Sequence, residues 1–272
     1  MWDMKVSVIM GVYNPDSKEQ LLQAIDSIIK QTLTDWELII CDDASSTSYQ
    51  ELFEEVIKLD RRITLISNKS NHGLAYALNK CLHASKGEYI ARMDVDDIAK
   101  TDRLEKQCRF LDKHSEYQWV GSNAELIDDN GVWGIGKRDE IPNLKTFLKY
   151  SPYIHPSVVF RSKILKDNDG YEVDKKTMRC EDYELFMRLT KKGNKGYNIQ
   201  ECLLQYREDA KSYERRKYRY YIQEAKVRFA GFKDLGILNI TTIPYVLKPL
   251  VVGLVPTKMT QSHRKANNKN VR

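Results

Sequence analysis

Asp94-Val95-Asp96-Asp97 places three carboxylates within four residues, and these are the residues whose types and spacing best suit chemistry. They follow residues 89–93, a short apolar run interrupted by Arg92, which reads as a buried strand. In an open α/β sheet the C-terminal ends of the strands are where ligands bind. Two carboxylates at i, i+2 can share one hard divalent cation, which prefers oxygen ligands and also takes oxygens from a substrate diphosphate. The plainer alternative is a solvated acidic turn capping the next helix. A second such triplet, Asp167-Asn168-Asp169, precedes Gly170 in a polar stretch with no strand before it. Context separates the two.

The elements that must position these carboxylates can be read from the pattern around them. Residues 5–12 (KVSVIMGV) are β-branched and apolar, as a central parallel strand should be, and end in the turn Tyr13-Asn14-Pro15. Ser17 with Gln20 suggests a capping box, and Leu21, Leu22, Ile25, Ile28 and Ile29 share one helical face. Residues 36–41 form a second buried strand that ends in Asp42-Asp43. A helix over 49–58, a strand over 63–66 and an amphipathic helix carrying Leu74, Ala77, Leu78, Cys81 and Leu82 follow. Strand and helix thus alternate three times before Lys100, which predicts an α/β fold with a mostly parallel, doubly wound sheet and helices on both faces.

Beyond Lys100 the pattern changes. A helix over 102–114 leads to a strand over 118–127 and an Asn130-Gly131 turn, a hairpin signal. Residues 144–150 read as helix, 157–161 as a short strand, 181–192 as helix and 202–206 as strand. One compact unit over residues 1–207 is expected, in two halves (1–100 and 118–207), followed by a basic helical extension over 208–272. Within that extension a helix over 212–229 carries an apolar stripe of Tyr218, Tyr221, Ile222, Ala225 and Phe229. The apolar run 249–256, bounded by Pro249 and Pro256, and a tail with Lys258, Arg264, Lys265, Lys269 and Arg272 come after it. Apolar residues beside cations fit an anionic membrane surface.

Composition narrows the class. The 272 residues are 42% hydrophobic, ample for a core, and 44 basic against 38 acidic residues give a net charge of +6. An excess that small fits an anionic surface or substrate and does not call for nucleic acid. Five scattered cysteines without a C-x-x-C read as reduced core thiols, not as a zinc site or disulfide framework. No signal peptide is recognised, and no apolar run approaches the ~18 residues of a membrane span. A cytoplasmic protein, peripheral on the inner face of the cell membrane, is the expectation.

Three strand ends bring polar residues to one rim: Tyr13-Asn14, Asp42-Asp43 and Asp94-x-Asp96-Asp97. A nucleotide-sugar site needs such parts, with a carboxylate or turn backbone for the nucleoside and a carboxylate pair for the cation on the diphosphate. With these segments the chain resembles a family 2 glycosyltransferase of the GT-A fold. The resemblance is carried by VSVIMGVYN, WELIICDDAS, NHGLAYALNKCLHASKGEYIARMDVDD, IHPSVVFRS and RCEDYELFMRL, over about residues 5–207. It implies donor contacts from Val12, Tyr13, Asn14, Asp42 at the nucleoside, Asn71, Gly73, Asp94 and Val95. Asp94 and Asp96 would hold Mn²⁺ or Mg²⁺, and Asp182 would be the general base. The implied activity is inverting transfer from a nucleotide-sugar, commonly a UDP-sugar, to a glycan or lipid-linked glycan in cell-surface polysaccharide synthesis. Many relatives carry Arg just before the asparagine at Asn79, whereas this chain has Leu78.

On the acceptor side, His155 either completes the metal site, faces the acceptor, or is a loop histidine before Pro156. Asp182 continues the stripe of Leu185, Phe186 and Leu189, whereas Glu181, with His155 an acceptor-side candidate, lines up with Glu184 and Arg188 on the polar face. A helix-capping role is the alternative for Asp182. Arg92, inside an apolar strand, should pair with a nearby carboxylate. A nucleotidylyltransferase would need a Gly-rich phosphate loop after the first strand, and a dinucleotide oxidoreductase a G-x-G-x-x-G; neither is present. A non-catalytic nucleotide-sugar binder or scaffold of a polysaccharide assembly complex stays open as the alternative.

Overall fold

The computed structural model describes residues 4–209 and 217–268. Alternation along β1 (Met4–Val12) builds both halves of the core, because successive strand side chains point to opposite faces. Val6, Val8, Met10 and Val12 join one buried cluster and Ile9 the other. The first cluster is completed by α1 (Lys18–Ile29), whose N-cap Ser17 accepts a hydrogen bond from the Gln20 amide, and by α2 (Gln50–Leu59). Between them runs β2 (Trp36–Asp42), and after them β3 (Ile63–Ser67). The second cluster takes Ala75, Leu78 and Cys81 from α3 (Leu74–Ala84), which leads into β4 (Gly87–Arg92).

The second half contains β5 (Ile98–Ala99), α4 (Arg103–Lys113) and the hairpin of β6 (Trp119–Asp128) with β7 (Gly131–Gly136). It continues through α5 (Leu144–Lys149), β8 (Val159–Arg161), α6 (Ser162–Lys166), α7 (Glu181–Lys191) and β9 (Gly196–Arg207). The nine strands of the described residues form one sheet in the order β3-β2-β1-β4-β8-β6-β9-β5, with β7 added to β6. The parallel, doubly wound pattern holds for β1 to β4. Beyond β4 the sheet becomes mixed: β8 runs antiparallel to both β4 and β6, while β9 runs parallel to β6.

The C-terminal helices differ from their sequence pattern. The start of the helix expected over 212–229 lies outside the described residues; α8 is described as Tyr218–Asp234. Its buried face is Tyr220, Ala225, Val227, Arg228 and Phe232, while Tyr218, Ile222 and Phe229 of the expected stripe are exposed. The cause is a buried cation. Arg228 is held by Glu224 at 3.0 Å and donates to the carbonyls of Leu148 and Tyr245, so a polar pair sits on the packed side. Pro249 does not bound a separate run but lies buried inside α9 (Ile243–Val252). The basic tail forms α10 (Thr257–Asn268), and two of its cations are engaged within the protein: Arg264 with Glu208, and Lys265 with Asp128 at 2.7 Å. Lys269 and Arg272 lie outside the described residues.

Candidate functional site

The sheet order sets β2, β1 and β4 side by side and parallel, so their C-terminal ends form a single rim. The register pairs Val12 of β1 with Asp42 of β2 and Ile9 with Arg92 of β4. At the tip of β1, Asn14 adopts a left-handed conformation (φ 42°) and its Oδ1 accepts from the Ser46 amide at 2.9 Å. Asp42 Oδ1 accepts from the Ser45 amide, also at 2.9 Å, and Tyr13 is exposed above them. The adjacent Asp43 has a different task. Its carboxylate accepts from Asn68 Nδ2 and from the amides of His72 and Gly73, and so fixes the turn that starts α3. Gly73 has φ 91°, a conformation that excludes most side chains, and Asn71 Nδ2 donates to the Asp43 carbonyl.

The carboxylates after β4 form a cluster, with one oxygen each of Asp94, Asp96 and Asp97 all within 4.8 Å of one another. Asp94 pairs with buried Arg92, as expected of a cation inside an apolar strand. Asp97 is fully buried; its Oδ1 accepts from the Arg207 amide at 2.8 Å, and its Oδ2 has no hydrogen-bond partner. Burial, together with the charge of Asp94, pushes Asp96 up to about 7, and burial and the neighbouring carboxylates hold Asp97 well above its usual range. Crowded carboxylates with an orphaned buried oxygen fit a hard divalent cation, which would relieve both the repulsion and the missing bond. Behind them, fully buried Arg103 donates to the Arg92 carbonyl at 2.8 Å and to Gln107 at 3.0 Å, fixing the strand end. Val95 packs against the first core cluster.

This rim borders a cavity of about 440 Å³, whose walls include Asp94, His155, Glu181, Asp182 and Tyr206. Asp182 is not the helix cap: the N-cap is Cys180, which makes no side-chain capping bond. Asp182 Oδ2 instead accepts from Ser151 Oγ at 2.9 Å, and burial raises its pKa against that bond. Glu181 departs from the expected outward face: it is only 9% exposed and lines the same cavity. The polar face proves narrow because α7 is covered on two sides, by Trp119 and Phe160 of the sheet against Phe186 and by α8, so Tyr183 and Met187 are buried as well. The Glu184–Arg188 pair does form, at 2.7 Å.

His155 stands outside the carboxylate cluster. Its Nε2 shares a 2.9 Å hydrogen bond with the Tyr171 hydroxyl, and burial beside Arg92 holds its pKa well below the usual range, so the ring is neutral. Leu78 is fully buried, while Asn79 clasps the backbone of Tyr171 through Nδ2 and Oδ1, both at 2.8 Å. Asp167 and Asp169 remain a turn, with Asp169 at φ 59° and Asp167 paired to Lys163. Ser151, Tyr206 and Arg138 escaped sequence reasoning, and no motif or spacing marked them.

Comparison with known proteins agrees with this geometry. The model of glycosyl transferase family 2 matches residues 7–214. The putative glycosyltransferase EpsE of Bacillus subtilis (strain 168) is 38% identical over 263 residues, 96% of this chain and 94% of that protein. An Escherichia coli UDP-Gal:alpha-D-GlcNAc-diphosphoundecaprenol beta-1,3-galactosyltransferase is 32% identical over 262 residues, 93% and 92% of the two chains. Among solved structures, S. aureus TarS residues 1–349 in complex with UDP superposes with a TM-score of 0.65 at 19% identity, covering 92% of this chain and 71% of that one. A parallel half-sheet ending in a rim of carboxylates, a mixed second half and these relatives lead to one conclusion: the chain is a glycosyltransferase of family 2 with the GT-A fold.

Proposed function

We propose that this protein transfers a sugar from a nucleotide-sugar, most simply a UDP-sugar, to a lipid-linked glycan acceptor in bacterial polysaccharide synthesis, with inversion at the anomeric carbon. One observation carries the proposal: the carboxylate cluster at the end of β4 and the half-buried base candidate Asp182 border the same cavity through Asp94. Val12, Tyr13, Asn14, Asp42, Asn71, Gly73 and Val95 supply the donor-side rim. An acceptor hydroxyl in the cavity gives its proton to Asp182 as its oxygen bonds to the anomeric carbon. The bond from that carbon to the diphosphate oxygen breaks, and a nucleoside diphosphate leaves. Attack and departure on opposite faces account for inversion. A bound Mn²⁺ or Mg²⁺, held by Asp94 and Asp96, would neutralise charge on the departing diphosphate. The E. coli relative, whose printed acceptor is a GlcNAc-diphosphoundecaprenol, supports a lipid-linked acceptor for this chain too.

No described helix is long and apolar enough to cross a membrane. Exposed Leu247, Val251, Leu254 and Met259, beside Lys248 and Lys258, support peripheral contact with the anionic inner face of the cell membrane, where such an acceptor resides. The test is a turnover screen of UDP-, GDP- and dTDP-sugars with and without Mn²⁺, using a diphosphate-linked lipid sugar as acceptor. Release of one nucleoside diphosphate that depends on the cation is expected. UDP binding with no turnover of any donor would favour a non-catalytic binder and overturn the proposal.

A further inference from the structure

A second cavity, of about 430 Å³, lies between the end of β9 and the helices α8, α9 and α10. It adjoins the acceptor cavity, since Tyr206, Glu224, Arg228 and Arg264 line both. The cations along this path are not equivalent. Arg228 and Arg264 are neutralised by Glu224 and Glu208. Arg138, which lines the acceptor cavity, and Lys248, which lines the second, have no carboxylate within ion-pair distance among the described residues. Arg138 Nε is buried with no partner, and its Nη1 reaches only the neighbouring carbonyl of Lys137, at 2.9 Å. The guanidinium rests 5.1 Å from the centre of the Tyr150 ring. Lys248 Nζ touches the Lys149 carbonyl at a long 3.4 Å.

Keeping a guanidinium nitrogen buried and unbonded is unfavourable unless a ligand completes it, and phosphate oxygens match the guanidinium fork best. The chemistry divides between the two adjoining cavities. Asp182 and Arg138 line the acceptor cavity, whereas Lys248, Pro249 and Val252 line the second, next to exposed Val251 and Leu254. That division matches a sugar hydroxyl beside an anionic linker in the first and an apolar carrier leaving through the second.

We propose that Arg138 and Lys248 bind the phosphate or diphosphate linking the acceptor sugar to its lipid carrier, making the protein selective for phosphate-linked acceptors. The inference rests on taking the cavity lined by Asp182 as the acceptor site. It is tested by calorimetric titration of the full chain with farnesyl diphosphate, farnesol and inorganic pyrophosphate, in chelator so that no divalent cation recruits diphosphate to the donor rim. Farnesyl diphosphate should bind more tightly than either other probe. Arg138→Gln and Lys248→Gln should each weaken it by about tenfold, the scale of a lost charge-assisted hydrogen bond. Arg138→Lys should recover part of the loss, and Lys58→Gln, on exposed α2, should change nothing. Lys248 is exposed, so its variant remains informative if the Arg138 variant fails to fold. Equal affinity of wild type and both glutamine variants would overturn the proposal. So would pyrophosphate binding as tightly as farnesyl diphosphate, which would indicate a site for free phosphate, or farnesol binding as tightly. UDP binding with Mn²⁺, measured on the same wild-type protein, reports on the donor reading separately.

Discussion

Ser151 Oγ donates a 2.9 Å hydrogen bond to Oδ2 of Asp182, joining the segment after α5 to the first turn of α7. Burial raises the pKa of Asp182, and the Ser151 bond works against that rise by favouring the ionised form. Ser151→Ala should therefore raise the pKa further and, with Asp182 as the proposed base, move the acid limb of the kcat/KM profile to higher pH, because that limb reports the base in the free enzyme. An acid limb that stays in place would show that Ser151 does not tune the base.

The carboxylate cluster predicts a specific metal dependence. Asp96→Asn should weaken Mn²⁺-dependent UDP binding and abolish most turnover, whereas Asp169→Asn in the remote turn should leave both intact. Calorimetry with and without Mn²⁺ measures the first, and full activity in excess chelator would remove the metal from the account.

The same cluster should make stability depend on pH in a direction opposite to that of most carboxylates. Asp96 is pushed up to about 7 in the folded protein, above the ordinary value near 3.9 of an unfolded chain. Between those values the folded state binds more protons, so the cation-free protein gains stability as pH falls from 8 towards 5. The gain should appear as a difference in Tm between wild type and Asp96→Asn, and saturating Mn²⁺ should suppress it. A Tm difference that is independent of pH would contradict the crowding.

Much of this was legible in the sequence where local pattern and burial coincide. β1, β2 and β4 are buried on both faces, so their apolar runs could not be mistaken, and Arg92 inside β4 announced its pairing with Asp94. Glu181 and the stripe of α8 misled, because their faces are set by what packs on them. α7 is covered on two sides, and α8 buries Arg228 through a partner and two carbonyls. Ser151 and Arg138 lie outside regular periodic segments, and only the folded chain brings them to Asp182.

The proposed membrane contact should depend on the exposed apolar side chains of the C-terminal helices more than on the tail cations, of which Arg264 and Lys265 are already paired. Val251→Asp with Leu254→Asp should reduce flotation with anionic vesicles, and the binding that remains should weaken with salt. Unchanged flotation of the double variant would place the contact elsewhere.

The proposed role of Asp182 is to deprotonate the acceptor while the strand-end residues hold the donor. It is tested most directly by measuring, for Asp182→Asn, both the rate of sugar transfer to a diphosphate-linked lipid acceptor and the affinity for UDP. A positioned general base contributes about 10²- to 10⁴-fold. A loss of that size in transfer with UDP affinity nearly unchanged is expected; transfer near the wild-type rate would contradict the role.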